Sequence, residues 1–143
     1  DTKLQGMGDP AVGMITMHHY SADYETPENK TFVAAWKDAY GADTTPDFMG
    51  VAGYDGMAAI AHVIRTMDGN ITAEGAMDAL KGWTFASPRG PIMIDPETRD
   101  IIQDQHVHEV VKSGDRLKIK VLMSIPQVKD PCKANQLGKC ASN

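Results

Sequence analysis

The chain has 143 residues, of which 42% are hydrophobic and 23% charged, and its net charge is −5 at pH 7. This length suits one domain with a packed core and is too short for two ordinary domains. The acidic balance argues against nucleic acid as a partner, because phosphate binding needs clustered Lys and Arg. No apolar run approaches the roughly 20 residues that a membrane-spanning helix needs.

The first segment of the chain predicts one strand and one helix. Residues 1–10 are rich in Gly and Pro and predict a loop, whereas residues 12–20 carry the β-branched and aromatic side chains of a strand. Thr26 followed by Pro27 marks a helix start, with Thr as the N-cap and Pro in the first helical position. Gly41 supplies the end of that helix.

Two more helices are predicted, over residues 46–67 and 72–80. The first of them has an apolar stripe at helical spacing, which predicts its core face: Met57, Ile60, Ala61, Ile64 and Met67. It also carries three glycines, each of which costs about 1 kcal/mol inside a helix relative to Ala: Gly50, Gly53 and Gly56. Glycines at such positions allow another backbone or a ligand to approach closely.

From Trp83 onward the pattern predicts strands. These are expected at residues 92–95, 101–112 and 117–125, with a tight turn at Ser113-Gly114-Asp115 and an irregular tail from Pro126. A single strand accompanied by three helices would make a poor sheet in a compact α/β protein. The element order therefore indicates that a partner segment is missing.

Four histidines are the candidates for metal ligands. Adjacent His18 and His19 on a strand are expected to point to opposite faces, so they would not bind one metal together. His106 and His108 are expected to share a strand face, but two imidazoles need a third ligand that the sequence does not identify. We therefore expect no metal and assign these histidines structural roles.

The acids around Pro96 raise the alternative of paired-carboxylate catalysis. Asp95, Glu97 and Asp100 bracket a turn, where Asp is favoured for its hydrogen bonds to the backbone, so we interpret them as turn residues. Arg89, between Pro88 and Gly90, is expected in an exposed loop, paired with one of these acids. No phosphate loop, nucleophile elbow or zinc-protease motif occurs, so an enzyme is the weaker class.

Cys132 and Cys140 both lie in the last dozen residues. Two thiols without a nearby His leave a zinc site half empty. In a reducing compartment they would be spare thiols, and in an oxidising one they could close a small loop. Of these, a disulfide between Cys132 and Cys140 is the prediction that we favour.

Several runs of residues, in this order, are similar to one family of proteins. They are HYSADY (19–24), TPENK (26–30), FVAAWK (32–37), PDFM (46–49), GYDGM (53–57), SPRGP (87–91) and DPETRD (95–100). From about Gly6 to Pro131 the chain resembles the type I periplasmic solute-binding proteins of ATP-binding-cassette importers. Within that family it is most similar to the group that binds branched-chain amino acids and aromatic acids.

The resemblance implies an α/β fold that forms the C-terminal portion of a two-lobe protein with Rossmann-like lobes and ends in a β meander. Residues 1–82 would be a crossover strand and the helices that complete the first lobe, 83–126 the final strands of the second lobe, and 127–143 a C-terminal tail. The N-terminal half of such a protein would be missing. Because Asp1 is not an initiator Met and no signal segment follows it, we expect a processed, trimmed or deliberately cut chain.

The same resemblance implies a periplasmic protein that binds an amino acid or small organic acid between its lobes and delivers it to a membrane permease, without a cofactor. Tyr54 and Asp55 are the first candidates for ligand contact, Tyr54 as an aromatic wall and Asp55 as an acceptor or cation partner. His19, Tyr20 and Ser21 would lie at the hinge and are the further candidates for ligand binding. The alternative for Tyr54 is core packing, and for Asp55 a solvated helix face.

Two other classes of function remain as alternatives. A self-associating structural unit would cover the edge left by the missing half with a second copy of the chain. A small hydrolase would use His106 or His108 together with an acid. The upstream residues that would select a ligand are not in this sequence, so the sequence does not name the ligand.

Overall fold

The computed structural model of the chain describes residues 2–137. Its helices are α1 (Thr2–Met7), α2 (Pro27–Tyr40), α3 (Phe48–Thr66), α4 (Ala73–Leu80) and α5 (Pro131–Ala134). Its strands are β1 (Ile15–His18), β2 (Thr84–Ser87), β3 (Gly90–Ile94), β4 (Ile101–Ser113) and β5 (Arg116–Val128). The predicted α/β class is confirmed, and β2 is a strand that the sequence did not predict.

The five strands form one antiparallel sheet. Strands β2 to β5 pair consecutively, which confirms the predicted β meander, and β5 continues past Pro126 to Val128. Strand β1 pairs with β4, so that His18 lies directly opposite His106. Strand β4 thus pairs with β1, β3 and β5, and it brings residues from distant parts of the chain together.

Helix α2 begins and ends at the predicted residues. The Oγ1 atom of Thr26 accepts a hydrogen bond from the backbone N–H of Asn29, and Gly41 follows the last turn with φ 104°. Phe32 of α2 packs against Tyr20 and Val51, which is fully buried in α3. Local capping signals decided these bounds, because they act within one turn of the helix end.

The predicted core face of α3 is wrong. Met57, Ile60 and Ile64 are 62%, 52% and 45% exposed. The buried residues of the helix are instead Val51, Asp55 and Val63. Since α3 carries apolar side chains on two sides, the helical period alone could not tell which side packs against the rest of the described chain.

The glycines of α3 differ in what surrounds them. A Cβ atom on Gly50 would lie 2.8 Å from Cζ3 of Trp36, so the absence of a side chain lets α2 approach α3 there. At Gly53 and Gly56 a Cβ atom would meet nothing within 4 Å. The group that approaches the first glycine is thus the Trp36 side chain rather than a backbone or a ligand, and the other two glycines lie beside the exposed apolar side of the helix.

The predicted loop at residues 1–10 is also wrong. Helix α1 and the 3-10 turn Asp9–Ala11 occupy this segment. The side-chain amide of Gln5 donates to the carbonyl oxygen of Leu117 at 2.6 Å and accepts from its N–H at 3.0 Å. Ala11 is fully buried against Val110 and Leu117. The contacts of Gln5 and Leu117 span more than 100 residues of sequence, so they override the local Gly and Pro signals.

Three further predictions concern membrane-spanning helices, the cysteine pair and the division of the chain into segments. No helix within residues 2–137 is long and apolar enough to cross a membrane. Cys140 lies outside the described residues, so its pairing with Cys132 stays a prediction. The division into segments 1–82, 83–126 and 127–143 likewise stays a prediction.

Candidate functional site

Helix α3 presents Tyr54 and Asp55 in different surroundings. Consecutive helical residues are about 100° apart, so adjacent side chains leave the helix in different directions. Tyr54 is 47% exposed, and its ring centroid lies 5.0 Å from that of Phe32 and 6.1 Å from that of Phe85. Asp55 is buried at 5% exposure. Tyr54 thus offers a half-open aromatic surface, while Asp55 does not face the solvent.

The buried Asp55 carboxylate is engaged by the β2–β3 turn. Its Oδ2 atom accepts hydrogen bonds from Ser87 Oγ at 2.9 Å and Arg89 Nε at 2.7 Å, and it also contacts Arg89 Nη2. Arg89 Nη1 donates to Gln103 Oε1 of β4 at 2.9 Å. Arg89 is only 7% exposed, so the prediction of an exposed loop residue is wrong. It links α3, the turn and β4.

Only one of the two carboxylate oxygens of Asp55 is hydrogen-bonded within the described residues. The Oδ1 atom of Asp55 finds no hydrogen-bond partner among residues 2–137. Burial raises the pKa of the Asp55 carboxyl, while the hydrogen bond from Ser87 and the Arg89 guanidinium act in the opposite direction. A carboxylate held this way depends on Arg89 for its charge compensation.

The segment after β1 places the three other candidate residues. Tyr20 is in the core, and its hydroxyl donates to Asn29 Oδ1 at 3.0 Å, while burial raises its pKa. Ser21 is buried, and its Oγ accepts from the N–H of Asp23 at 3.1 Å. His19 is half-buried beside His18. These residues shape the segment between β1 and α2.

The prediction that His18 and His19 face opposite ways is wrong. Their ring centroids lie 4.4 Å apart and the rings stack at 28°. Strand β1 ends at His18, so the alternation of side chains that a strand imposes does not extend to His19. The pKa of His19 is lowered to about 4, chiefly by burial and also by the neighbouring His18, Arg89 and His106.

The shared face of His106 and His108 is confirmed. Their rings stack with centroids 6.1 Å apart. His108 Nε2 is 2.9 Å from the Tyr24 hydroxyl, and His106 Nδ1 is 2.8 Å from Ser124 Oγ. The pKa of His108 is lowered to about 4, chiefly by burial and also by His106 and His18. No group of three or more His, Cys, Asp or Glu residues within the described chain is placed to hold a metal ion.

A concavity of about 700 Å³ lies where several of these residues meet. Tyr20 and Ser21 line it together with His18, His108 and the first residue of α3, Phe48. Apolar side chains complete the wall, among them Met7, Met14 and Met17. The structure therefore brings two of the predicted residues to one concavity, whereas Tyr54 and Asp55 do not line it.

The acids around Pro96 behave as turn residues. Asp95 Oδ1 accepts hydrogen bonds from the backbone N–H of Glu97 at 2.9 Å and of Thr98 at 3.4 Å. Its Oδ2 pairs with Lys129 at 3.0 Å. The hydrogen bond from Glu97 lowers the pKa of Asp95, with Lys129 acting in the same sense. The interpretation as turn chemistry is confirmed for Asp95, the Asp100 side chain pairs with Lys133, and Arg89 pairs with Asp55 rather than with these acids.

Asn29 is a polar residue that sequence reasoning missed. It is fully buried, and its amide group donates to the carbonyl oxygens of Tyr24 at 2.9 Å and Ala22 at 3.1 Å. The available signal was its position three residues after the Thr26 cap, where a capping box would carry Glu or Gln. Asn29 instead organises the segment that leads from β1 to α2.

Comparison with known proteins assigns a family to this fold. A family model described as "Periplasmic binding protein" matches residues 1–115. Curated relatives from Brucella abortus and Brucella suis, named Leu/Ile/Val-binding protein homolog 6, are 38% identical over 115 residues. The match covers 80% of this chain and 30% of each relative, so the chain spans under a third of their length.

Solved structures agree with this assignment. A solute-binding protein of an ABC transporter from Rhodopseudomonas palustris BisB5, in complex with 3,4-dihydroxybenzoic acid, is 42% identical with a TM-score of 0.85. It is matched over 91% of this chain and 35% of its own. Another, from Rhodopseudomonas palustris HaA2 in complex with p-hydroxybenzoic acid, is 32% identical with a TM-score of 0.86, over 94% of this chain and 36% of its own.

A third solved structure is similar to this chain in fold only. A leucine-, isoleucine-, valine-, threonine- and alanine-binding protein from Brucella ovis is 15% identical with a TM-score of 0.74, over 90% of this chain and 35% of its own. The described residues therefore form part of the α/β fold of type I periplasmic binding proteins. On the match over residues 1–115, the chain belongs to the periplasmic binding protein family.

Proposed function

We propose that this chain forms part of the non-enzymatic solute-binding component of an ATP-binding-cassette importer, whose ligand is a small aromatic acid. The proposed ligand class rests on a difference in sequence identity between two groups of solved structures. Three solute-binding proteins in complex with dihydroxy- or hydroxybenzoic acid are 42%, 32% and 33% identical to this chain. Structures named for amino acids are 15–22% identical. Branched-chain amino acids are the competing class of ligand, because the curated relatives are named Leu/Ile/Val-binding protein homologs.

Within this chain we assign ligand contact first to Tyr54. Its half-exposed ring, supported by Phe32 and Phe85, suits stacking against an aromatic acid. Asp55 is committed to Ser87 and Arg89 through Oδ2, so its role in the proposal is to orient α3. His19, Tyr20 and Ser21 shape the hinge segment.

The proposed mechanism is closure of two lobes around the ligand, a population shift driven by contacts made only in the closed state. A chain of the relatives' length would supply the rest of the site. A membrane permease in the importer would receive the ligand from the periplasm. The isolated chain is then expected to hold only part of the site.

An exchange of segments tests the proposal. The matching third of the Rhodopseudomonas palustris BisB5 protein is replaced by this chain, and 3,4-dihydroxybenzoate, 4-hydroxybenzoate and leucine are titrated calorimetrically. The chimera is expected to bind the aromatic acids and not leucine, and Tyr54→Ala to weaken binding about tenfold, a change of about 1.4 kcal/mol. The isolated chain, as control, is expected to bind none of them with micromolar affinity.

A matched substitution separates ligand contact from packing in this experiment. Tyr40→Ala removes another exposed aromatic ring, at the end of α2, and is expected to leave affinity unchanged. A chimera that melts cooperatively but binds neither aromatic acid would overturn the ligand class, because this chain would then fail to complete a site for such an acid. Equal affinity for the Tyr54→Ala and Tyr40→Ala chimeras would remove Tyr54 from the site.

The second candidate, self-association, is favoured by one observation. Met57, Ile60 and Ile64 form an exposed apolar side of α3, next to Gly53 and Gly56, where a Cβ atom would meet nothing within 4 Å. A helix that is apolar on both sides is normally buried on both. In this candidate, a second copy of the chain covers the exposed side.

Measurement of mass in solution tests this candidate. Sedimentation equilibrium at about 100 μM is expected to give the mass of two chains, and Ile60→Asp to give the mass of one, because a charge in an apolar interface is costly. Ala35→Asp, on the exposed side of α2, is the control. A monomeric native chain at that concentration would rule out self-association.

A further inference from the structure

Four imidazoles meet where the helices join the sheet. They belong to His18, His19, His106 and His108, and we call them the imidazole cluster. His18 and His106 are cross-strand partners of β1 and β4. His18 and His19 stack at 4.4 Å and His106 and His108 at 6.1 Å. A cluster this dense is stable only while its rings are mostly uncharged, because like charges at such distances repel.

The cluster is also the contact between two parts of the fold. The ring of Phe48, at the start of α3, lies 5.1 Å from that of His18 and 6.4 Å from that of His19. Tyr24, in the segment before α2, lies 2.9 Å from His108 through its hydroxyl, and its ring is 5.0 Å from that of His106. Each contact joins the helical side of the molecule to β1, to β4 or to His19, which directly follows β1.

Two ring nitrogens of the cluster are buried without a hydrogen-bond partner in the described part of the chain, His18 Nδ1 and His106 Nε2. A protonated imidazole carries an N–H on both nitrogens, so protonation would leave these buried donors unsatisfied. Such a donor costs about 1–3 kcal/mol. The folded arrangement therefore disfavours the charged form on grounds of geometry alone.

The charged and titratable groups around the cluster offer little compensation. Arg89, in the β2–β3 turn, lowers the pKa of both His18 and His19, in addition to the larger effect of burial. Asp55 on α3 is engaged by that same Arg89. Strand β5 contributes the uncharged Ser124, and its Lys118 and Lys120 line the same concavity as His106. The other titratable groups nearby are Lys3 of α1, Asp47 at the start of α3, Asp104 and Lys112 of β4, and Tyr20, Asp23, Tyr24 and Glu25 of the connecting segment.

We propose that the imidazole cluster is an acid-sensitive joint, at which protonation separates segment 19–24 and the start of α3 from β1 and β4, while the β4–β5 hairpin stays paired. The joint is a property of this chain and does not depend on the ligand proposed above. The joint is expected to open as the pH falls, because the closed arrangement favours the neutral form of the histidines. Closure is fully stable above pH 6.5 and weakens as the pH falls toward 4.

Hydrogen exchange at pH 7.5 and pH 5.0, corrected for the intrinsic rates, tests the joint in the full chain. Protection of residues 19–24 and 48–52 is expected to fall by roughly tenfold or more at pH 5.0, whereas that of 106–123 is expected to hold. His19→Gln, which has no charge to gain, is expected to reduce the loss. His62→Gln, on α3 at Trp83 and outside the cluster, is expected to leave it unchanged.

A second measurement needs no substitution. The C–H signals of the imidazoles are followed by NMR between pH 7.5 and 4, where His19 and His108 are expected to titrate well below the 6.5 of a free histidine. Titration of both at or above 6.5 would overturn the joint. An equal loss of protection along the whole chain, or the same pH response in His19→Gln as in the native chain, would overturn it too.

Discussion

Replacing Arg89 by methionine is expected to lower the free energy of unfolding by about 3–5 kcal/mol, because removal of one partner leaves a buried charge uncompensated. Asp55 would keep only the hydrogen bond from Ser87, and Gln103 would lose its donor. The contact between α3 and the β2–β3 turn would weaken with it. Urea unfolding followed by circular dichroism measures the change.

Two further variants distinguish charge compensation from loss of packing. The double variant Asp55→Leu with Arg89→Met removes both charges and is expected to recover most of the loss, since apolar residues often replace a buried ion pair at little cost. Arg65→Met, on the exposed side of α3, is expected to change stability by less than about 0.5 kcal/mol. If Arg89→Met unfolds at the same urea concentration as the native chain, the pair contributes nothing to stability.

Asn29→Leu is expected to cost about 3 kcal/mol, although the two side chains are similar in size. The side-chain NH₂ of Asn29 donates hydrogen bonds to the carbonyl oxygens of Ala22 and Tyr24, and its Oδ1 accepts one from the Tyr20 hydroxyl. Each buried polar group left without a partner costs about 1–3 kcal/mol. Near-UV circular dichroism and urea unfolding would show the loss of order around the tyrosines.

The control for Asn29 is an asparagine outside any such network. Asn70→Leu, in the exposed connection between α3 and α4, is expected to leave the unfolding midpoint nearly unchanged. Equal midpoints for Asn29→Leu and the native chain would mean that water replaces the amide at no cost. Segment 20–24 would then owe its shape to the packing of Tyr20 alone.

The parts of the fold that the sequence predicted correctly depend on neighbours in the chain. Thr26, Pro27 and Gly41 delimit α2 because caps act within a single turn. The turn after Ser113 and the alternation of apolar residues defined the β4–β5 hairpin for the same reason. The run of similar motifs also pointed to the correct family, since it extends over most of the chain.

Two of the predictions that were wrong concern which side chains are covered by the rest of the fold. Ile60 and Ile64 satisfy the period of a core face, but Val51 and Val63 are the buried side. Arg89 has the sequence neighbours of a loop residue, yet α3 supplies its partner from 34 positions away. Burial of a side chain is decided by which elements pack together, and no window of local sequence contains that information.

The amino-acid sequence by itself determined the α/β class, the bounds of α2, the β4–β5 hairpin and membership in the periplasmic binding protein family, because each depends on local signals or on motifs along the chain. Only the tertiary structure decided that Asp55 is paired with Arg89, that Asn29 organises segment 20–24, and that four histidines form one cluster. Those facts depend on strand register and on contacts between distant residues. The energy of a contact between distant residues belongs to the pair, so the local sequence around either residue does not reveal the contact.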